Sequence, residues 1–202
     1  MHDANVTSWI DCVDGVMLTA NGTPTWTTDG LYGNGISFDA NIPSTATLLE
    51  TGKYSVEVCI GESRTARNEN GLVAIGNTGS GSADRGGVYM KINNGSNTAF
   101  NAVVNSANYG RNDTYTGNQT FSMTADAGSE FSVFGNGSLY QNKTATVSFT
   151  PPNDNFAIGR FKNVYEFNTY IDIHCVRVYS RALTAAEIAH NYAIDKQRFN
   201  LL

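Results

Sequence analysis

Several aromatic and planar polar side chains fall within one short stretch of the sequence, "NSANYGRNDTYTGN". They are Tyr109, Arg111, Asn112, Asp113 and Tyr115. Aromatic faces pack against the C–H surfaces of sugars, and planar polar groups hydrogen-bond to sugar hydroxyls, in concave sites with a few convergent polar groups. We therefore predict that this stretch is a loop that binds a glycan or polysaccharide. The alternative is a solvated loop whose tyrosines cover the edge of a sheet.

Two further stretches supply the same kinds of side chain. "SADRGG" contributes Asp84 and Arg85, which we add to the predicted carbohydrate-binding residues. The predicted site is therefore assembled from loops, which carry many of the recognition residues of proteins with a rigid scaffold. "GRFKNVYEFNTY" offers weaker candidates, namely Arg160, Lys162, Tyr165 and Glu166.

Acidic residues do not fall in the pattern that glycoside hydrolysis needs. Such enzymes place two carboxylates about 5–5.5 Å apart for retention, or about 6.5–9.5 Å apart for inversion. Glu57 is the only acid in its strand-like run, and Asp172 in "YIDIH" has no acidic partner two residues away. His2, His174 and His190 share no metal-ligand spacing, and we expect His174 to be a hydrogen-bonded residue on a strand. We predict that the chain is not an enzyme; the alternative is a degenerate glycosidase or polysaccharide lyase.

Cofactor and metal motifs are not apparent in the sequence. A structural Ca²⁺ is an alternative, because Asp29 and Asp39 lie near glycine-rich turns and carboxylate oxygens are ligands that Ca²⁺ prefers. Cys12, Cys59 and Cys175 are widely spaced and form neither a zinc pattern nor a disulfide framework. We expect them to be small buried or half-buried residues.

Composition restricts the classes of partner. The net charge is −5 and the pI about 5.1, which argues against duplex nucleic acid because that ligand requires clustered Lys and Arg. No stretch is long and apolar enough to span a membrane. The start, "MHDANVTSWIDC", lacks the charged and apolar regions of a signal peptide. Charged residues are only 15% of the chain, so neutral polar residues must form much of the surface.

Short strand-like runs separated by turn signals follow one another along the chain. "YSVEVCI" alternates apolar and polar positions, which is typical of a half-buried strand. In "FSVFGNGSLY", Asn136-Gly137 can adopt the positive φ values of a tight reversal, which predicts a hairpin. Such a series predicts an all-β antiparallel sandwich or barrel. The other runs are "GISFD", "LVAIGN", "GVYMKIN", "AFNAVVN", "QTFSMTA" and "NFAIGR".

The last strand-like run changes phase along its length. In "IDIHCVRVYS", Ile171 and Ile173 share one parity, whereas Val176 and Val178 share the other. This change predicts a β-bulge near Cys175, or a strand that is covered on both faces.

A helix follows this run almost without a linker, in "RALTAAEIAHNY". Thr184 and Glu187 have the spacing of a capping box, and the flanking Leu183 and Ile188 have that of a hydrophobic staple. An apolar stripe at helical spacing predicts that the helix packs on the outside of the sandwich. The stripe consists of Ala185, Ile188, Ala189 and Tyr192.

These motifs together resemble a known family. "VRVYSRALTAAEIAHNYAIDKQRF" resembles the C-terminal signature of laminin-G-like, concanavalin A-like jelly-roll domains, in which a last strand leads into a short Ala-Glu-Ile helix. "WIDCVDG", "TPTWTTDGLYGNGISFD", "SVFGNGSLY" and "FAIGR" resemble earlier family motifs in the same order. The resemblance covers roughly Trp9 to Phe199. It places Trp9 and Trp26 in the family pattern as core residues, which agrees with the usual burial of Trp in small domains.

The resemblance implies a two-sheet antiparallel jelly roll with a short C-terminal α-helix, formed by residues 1–202 as one domain. Members of the family are commonly non-catalytic carbohydrate-binding or adhesion modules of secreted, cell-surface or phage structural proteins. The alternative is a structural domain of a virion or surface assembly, in which the partners are other protein chains. The expected location is extracellular, at a cell surface or in a virion.

Overall fold

A computed structural model describes most of the chain, and it does so in separate stretches. The described residues are 8–10, 12–13, 15–41, 51–64, 69–76, 87–94, 98–104, 107–111, 117–126, 130–143, 155–160 and 168–201. They form thirteen strands and a C-terminal helix, α1 (Ala185–Phe199). No helix among them has the length and apolar character needed to cross a bilayer.

The strands match the predicted runs closely. Three strands were not predicted, because β1, β2 and β8 are short or carry no clear alternation. The bounds are β1 Ser8–Ile10, β2 Met17–Ala20, β3 Phe38–Asn41, β4 Tyr54–Ser63, β5 Glu69–Gly76, β6 Gly87–Asn94, β7 Thr98–Val104, β8 Ala107–Arg111, β9 Gln119–Asp126, β10 Glu130–Gly135, β11 Ser138–Lys143, β12 Asn155–Ile158 and β13 Ile171–Tyr179.

Two antiparallel sheets make up the body of the fold. The described strands form an eight-stranded sheet in the order β1-β2-β3-β12-β5-β6-β7-β8 and a five-stranded sheet in the order β11-β10-β9-β4-β13. Alternate residues of both sheets meet in one apolar core, as in a β-sandwich. The predicted all-β sandwich with a short C-terminal helix is therefore confirmed.

The core takes side chains from the inner face of each sheet. Val56 and Val58 of β4 meet Met90 and Ile92 of β6, and all four are fully buried. The two tryptophans pack at the margin of this core, as predicted, with ring centroids 5.7 Å apart. Their rings also contact Phe38, which is completely buried.

The hairpin between β10 and β11 turns at the predicted dipeptide. Asn136 and Gly137 both have positive φ, 48° and 74°. The Asn136 side chain also accepts a hydrogen bond from the Thr120 backbone N–H at 3.1 Å. The turn is therefore tied to β9 as well as being set by local backbone preference.

Strand β13 contains the predicted irregularity. Its register against β4 shifts between Ile171 and Ile173 and again between Ile173 and Cys175. On a regular strand, residues three apart face opposite sides of the sheet. The bulge lets Ile173 and Val176 both contact the core. A segment around Leu31 pairs with β13 on its other side, where the backbone N–H of Leu31 donates to the Ile173 carbonyl at 2.8 Å.

Helix α1 begins at the predicted capping box. The Glu187 N–H donates to the Thr184 hydroxyl at 3.3 Å, and the Thr184 N–H donates to the Glu187 carboxylate at 2.9 Å. Arg181 adds a two-pronged ion pair to the same carboxylate. Leu183 and Ile188 are both buried in one small apolar cluster, as the predicted staple requires.

The helix lies on the outer face of the five-stranded sheet, and its contacts correct two predictions. Ala185 and Ala189 are exposed, whereas Asp195 and Phe199 are buried. The buried face of the helix therefore extends further toward its C-terminal end than the predicted apolar stripe. The run "YSVEVCI" is buried on both faces, because α1 covers the side that carries Glu57. The contact surface is partly polar, and hydrophobicity alone therefore did not locate it.

A hydrogen-bonded network joins the helix to the sheet. The completely buried Glu57 carboxylate accepts from Asn191 at 2.8 Å, from Ser122 at 3.1 Å and from Tyr179 at 3.2 Å. Arg177 lies 4.0 Å from the same carboxylate. Burial raises the pKa of Glu57, although Asn191 and then Arg177 oppose that change. The network satisfies a polar group whose burial would otherwise be costly.

Loss of the helix cap should destabilise the whole domain. We expect Thr184→Ala to lower the free energy of unfolding by about 1 kcal/mol, because the Glu187 N–H loses its acceptor. Thr184→Ser keeps the hydroxyl and should retain most of the stability. Urea denaturation of the three proteins measures the difference. Equal destabilisation by Ser and Ala would contradict the role of the hydroxyl.

The buried carboxyl of Glu57 should make stability depend on pH in a defined direction. Its folded pKa is raised above the ordinary value of 4.5, so its contribution is complete below that value and is lost as the pH rises through the folded pKa. Glu57→Gln does not titrate at this position. We expect the wild-type stability relative to Glu57→Gln to fall with rising pH, by about 1.4 kcal/mol for every pH unit that separates the folded pKa from the unfolded one.

Urea denaturation of the wild type and of Glu57→Gln, at several pH values between about 4 and 8, gives the difference between their free energies of unfolding directly. Glu62→Gln is a suitable control, because Glu62 is exposed at the surface. A wild-type advantage that grows with pH would show that burial does not dominate the environment of Glu57.

Candidate functional site

The outer face of the eight-stranded sheet carries one row of residues that face away from the core. The antiparallel register aligns Thr19 with Asp39, Asp39 with Ala157, Ala157 with Ala74, and Ala74 with Tyr89. The neighbours of each along its strand contact the core, so these five lie on the opposite face. We call this row, together with Lys91 and Arg160, the outer strip.

Small side chains form the middle of the outer strip. Ala157 and Ala74 lie side by side in β12 and β5 and are almost completely buried. Tyr89 and Lys91 follow on β6, where Tyr89 is half-buried. Strands lie about 4.8 Å apart, so the strip from Asp39 to Tyr89 spans about 14 Å. The two alanines occupy the middle of this span, and the larger side chains of Asp39 and Tyr89 flank them.

An ion pair forms the other end of the outer strip. Arg160 follows the end of β12, after Gly159, whose φ of 83° redirects the chain. Its guanidinium lies 2.6 Å from the carboxylate of Asp39 on β3. Burial raises the pKa of Asp39, and the Coulomb attraction and hydrogen bond of Arg160 oppose that change. A fixed guanidinium and carboxylate offer hydrogen-bond donors and acceptors to sugar hydroxyls.

The predicted carbohydrate-binding residues are only partly located by the structure. Tyr109 and Arg111 lie in β8, the edge strand of the eight-stranded sheet, and not in a loop as predicted. The polar run "NYGR" shows no alternation, and β8 is defined by its pairing with β7, in which Tyr109 lies opposite Ala102. The remaining predicted residues, Asn112, Asp113, Tyr115, Asp84 and Arg85, lie outside the described residues.

Of the weaker candidates, Arg160 is the one that the structure places on the outer strip. Lys162, Tyr165 and Glu166 lie outside the described residues. Sequence reasoning missed Tyr89, because "GVYMKIN" was considered only as a strand. The alternation that buries Val88 and Met90 also directs Tyr89 to the opposite face, and this signal was present in the sequence.

The aspartates considered for Ca²⁺ lie in different parts of the fold. Asp39 pairs with Arg160 on the eight-stranded sheet. Asp29 belongs to a tight bend held by the Thr27 hydroxyl, and it lies near His174 of β13 in the five-stranded sheet. These two residues therefore do not share one ion-binding site.

His174 packs against α1. Its ring stacks on Phe199 at a centroid distance of 4.9 Å, and neither ring nitrogen makes a hydrogen bond of normal geometry with a described residue. Burial lowers the pKa of His174, although the nearby Asp29 opposes that change. The imidazole lies on β13, as predicted, and packs mainly as an aromatic surface under the end of α1.

The buried carboxylates of the described residues are bound to partners within the fold. Asp172 accepts from Arg64 at 3.0 Å and from the Gly33 N–H at 2.8 Å. Asp195 forms a two-pronged ion pair with Arg177 at 2.5 and 2.8 Å. Since Glu57 is also fully engaged, these three acids stabilise the domain. None of them faces the outer strip as a general acid or base would.

Comparison with solved structures finds the same fold in several proteins. A Trypanosoma rangeli sialidase matches with a TM-score of 0.72 and 15% identity, over 98% of this chain and 32% of the sialidase. The CBM40 of a Ruminococcus gnavus IT-sialidase matches with a TM-score of 0.58 and 17% identity, over 84% of this chain and 96% of that one. The receptor binding domain of botulinum neurotoxin mosaic serotype C/D matches with a TM-score of 0.62 and 15% identity, over 89% and 48%.

The chain thus spans well under half of that sialidase, and at such identities the likeness shows the fold alone. Among curated proteins, none matches the sequence. A family model of the laminin G type, described as the concanavalin A-like lectin/glucanases superfamily, matches residues 33–189. This range contains β3 to β13 and the start of α1, and with them residues 176–189 of the C-terminal motif. The chain belongs to the concanavalin A-like lectin/glucanase superfamily.

Proposed function

We propose that this chain is a non-catalytic carbohydrate-binding module, and that the outer strip is the centre of its binding surface. The observation that carries the proposal is the arrangement of the strip. A buried floor of two alanines lies between the half-buried Tyr89 on one side and the Asp39–Arg160 pair on the other. An aromatic face and a fixed pair of polar groups flanking a small-residue floor suit a sugar chain.

The two sheets differ in what covers their outer faces. Helix α1 and its polar network occupy the five-stranded sheet, where the Glu57 carboxylate accepts from Asn191 and lies 4.0 Å from Arg177. On the eight-stranded sheet, Ala74, Ala157 and Lys91 are buried, whereas Thr19 is exposed and Asp39 and Tyr89 are half-buried. This asymmetry favours the eight-stranded sheet for ligand binding.

Structural neighbours support a glycan as the ligand. One neighbour is the Ruminococcus gnavus IT-sialidase CBM40 bound to α2,3 sialyllactose, and another is a Trypanosoma rangeli sialidase in complex with sialic acid. These ligands belong to those proteins. They make sialylated glycans reasonable first probes for this chain, beside neutral ones.

The predicted loop residues extend this proposal. Tyr109 and Arg111 lie on β8, in the same sheet as the outer strip but at its edge. We propose that they, with Asn112, Asp113 and Tyr115, bind the outer part of a longer glycan, and that Asp84 and Arg85 do so from the other predicted loop. The setting that we infer is an adhesion module of a secreted or cell-surface protein.

An alternative function has one observation in its favour. The hairpin of β1 and β2 exposes Ile10, Val13 and Met17, with 51%, 87% and 61% of their surfaces accessible. Exposed apolar residues at the edge of a sheet are typical of contacts with other protein chains. A structural domain of a surface or virion assembly would use this hairpin and would not need the outer strip.

Binding to a glycan array, followed by titration calorimetry with the best ligand, tests the proposal. We expect Tyr89→Ala and Arg160→Gln each to weaken binding by at least about tenfold, or about 1.4 kcal/mol, because each removes one side of the strip. Arg198→Ala is the matched control, since Arg198 is exposed on α1 beside the other sheet.

Circular dichroism and thermal unfolding should establish that each variant is folded. A second pair, Tyr109→Ala and Tyr115→Ala, separates the strip from β8 and the segment that follows it in the sequence. Loss of binding only in the second pair would place the site at β8 and this segment, and not on the strip. A chain that binds no glycan and forms a stable oligomer, disrupted by Met17→Asp, would support the protein-interaction alternative.

A further inference from the structure

Two cysteines and an aspartate converge beneath α1, on the outer face of the five-stranded sheet. Cys59 of β4 and Cys175 of β13 are direct partners in the antiparallel register. Asp195 approaches them from α1, and the two sulfur atoms and a carboxylate oxygen all lie within 4.8 Å of one another. We propose that these three side chains bind a thiophilic divalent metal ion of the zinc type.

The donor set has the chemistry and spacing of such a site. Zn²⁺ binds thiolate sulfur at about 2.3 Å and carboxylate oxygen at about 2.0–2.2 Å, so tetrahedral donors lie about 3.4–3.8 Å apart. Donors within 4.8 Å of one another reach that spacing by small side-chain rotations. Among the described residues, no other group of three cysteine, histidine or acidic donors approaches so closely.

Charge balance is compatible with a divalent ion. Without a metal, two protonated thiols and the Asp195–Arg177 ion pair are neutral. When both thiols lose their protons, a divalent cation replaces the two positive charges, so the buried group stays compensated. Arg177 also fixes the orientation of the carboxylate, as the hydrogen-bonding partners of metal ligands usually do.

Cys59 and Cys175 are hydrogen-bonded to each other, so their sulfur atoms are already close together. Metal binding replaces this contact and releases the thiol protons.

The surroundings exclude solvent from most of the group and leave one side accessible. Cys59 and Asp195 are completely buried, whereas Cys175 is only half-buried. Phe199 and Leu201 pack on the cysteines as an apolar cover. An ion can enter beside Cys175, and a water molecule can supply the fourth ligand there, as in open zinc sites.

The sequence did not indicate this site, because its ligands are far apart along the chain. Cys59 and Cys175 are brought together only by the pairing of β4 with β13. Asp195 belongs to a helix whose polar contact face was not predicted. Local spacing rules for zinc sites therefore cannot detect it.

Titration of the full chain with Co²⁺ tests the proposal directly. The protein is reduced with a phosphine, treated with a chelator and titrated with CoCl₂ without oxygen. We expect one equivalent of Co²⁺ to produce thiolate-to-metal charge-transfer absorption and the visible bands of a tetrahedral ion. ZnCl₂ should displace the Co²⁺ and raise the melting temperature, because it binds the folded state.

Variants of each cysteine provide the controls. Cys175→Ala should abolish the charge-transfer band and the rise in melting temperature caused by ZnCl₂, and Asp195→Asn should weaken Co²⁺ binding by at least about tenfold, or about 1.4 kcal/mol. Cys12→Ser, at the exposed cysteine near the β1–β2 hairpin, should leave both signals unchanged. Cys175 is only half-buried, so we expect Cys175→Ala to fold. This variant therefore tests the metal site even if a substitution at the buried Cys59, such as Cys59→Ser, prevents folding.

Three results would overturn the proposal. The first is a reduced, folded protein that gives no charge-transfer band with Co²⁺. The second is a band that persists in Cys175→Ala and disappears in Cys12→Ser. The third is a Cys59–Cys175 disulfide in protein purified without oxygen, detected by mass spectrometry as the loss of two hydrogens. Glycan binding is measured separately, so either proposal can fail without the other.

Discussion

The contact between α1 and the five-stranded sheet depends on Arg177, which lies between two buried carboxylates. It forms a two-pronged ion pair with Asp195 of the helix and lies 4.0 Å from Glu57 of β4. A buried charge without a partner would be strongly destabilising, so both acids must remain near this guanidinium. These contacts and, at the other end of the helix, the staple of Leu183 and Ile188 hold α1 in its observed register.

This contact bears on the surface that we propose for a ligand. Helix α1 and its polar network cover the outer face of one sheet, and we propose that a glycan binds the other, where the outer strip lies. The same docking brings Asp195 to the paired cysteines, and the proposed metal site is thus a consequence of the helix position. A bound ion would join β4, β13 and α1 at one point.

Much of the fold could be predicted because its signals are local. Asn136-Gly137 fixes a hairpin, Thr184 and Glu187 fix the start of a helix, and the phase change before Val176 shows a bulge. Each of these depends on backbone preferences within a few residues. The family resemblance added the order of the elements and was confirmed over most of the chain.

The candidate site was less predictable because it depends on register between distant strands. Ala74 and Ala157 form one floor only because β5 and β12 pair in a particular alignment. Glu57 could not be identified as buried, since its partners Tyr179 and Asn191 lie more than a hundred residues away along the chain. The sequence drew attention to tyrosine and arginine in other segments, whereas alternation on β6 was needed to find Tyr89.

Hydrogen–deuterium exchange with and without the best glycan from the array tests the central claim most directly. Backbone amides in β5, β6 and β12 should exchange more slowly when the glycan is bound, because the ligand lies on the outer strip. Peptides from β4, β13 and α1 should be unaffected. Protection confined to α1 and β13 would contradict the assignment of recognition to the eight-stranded sheet.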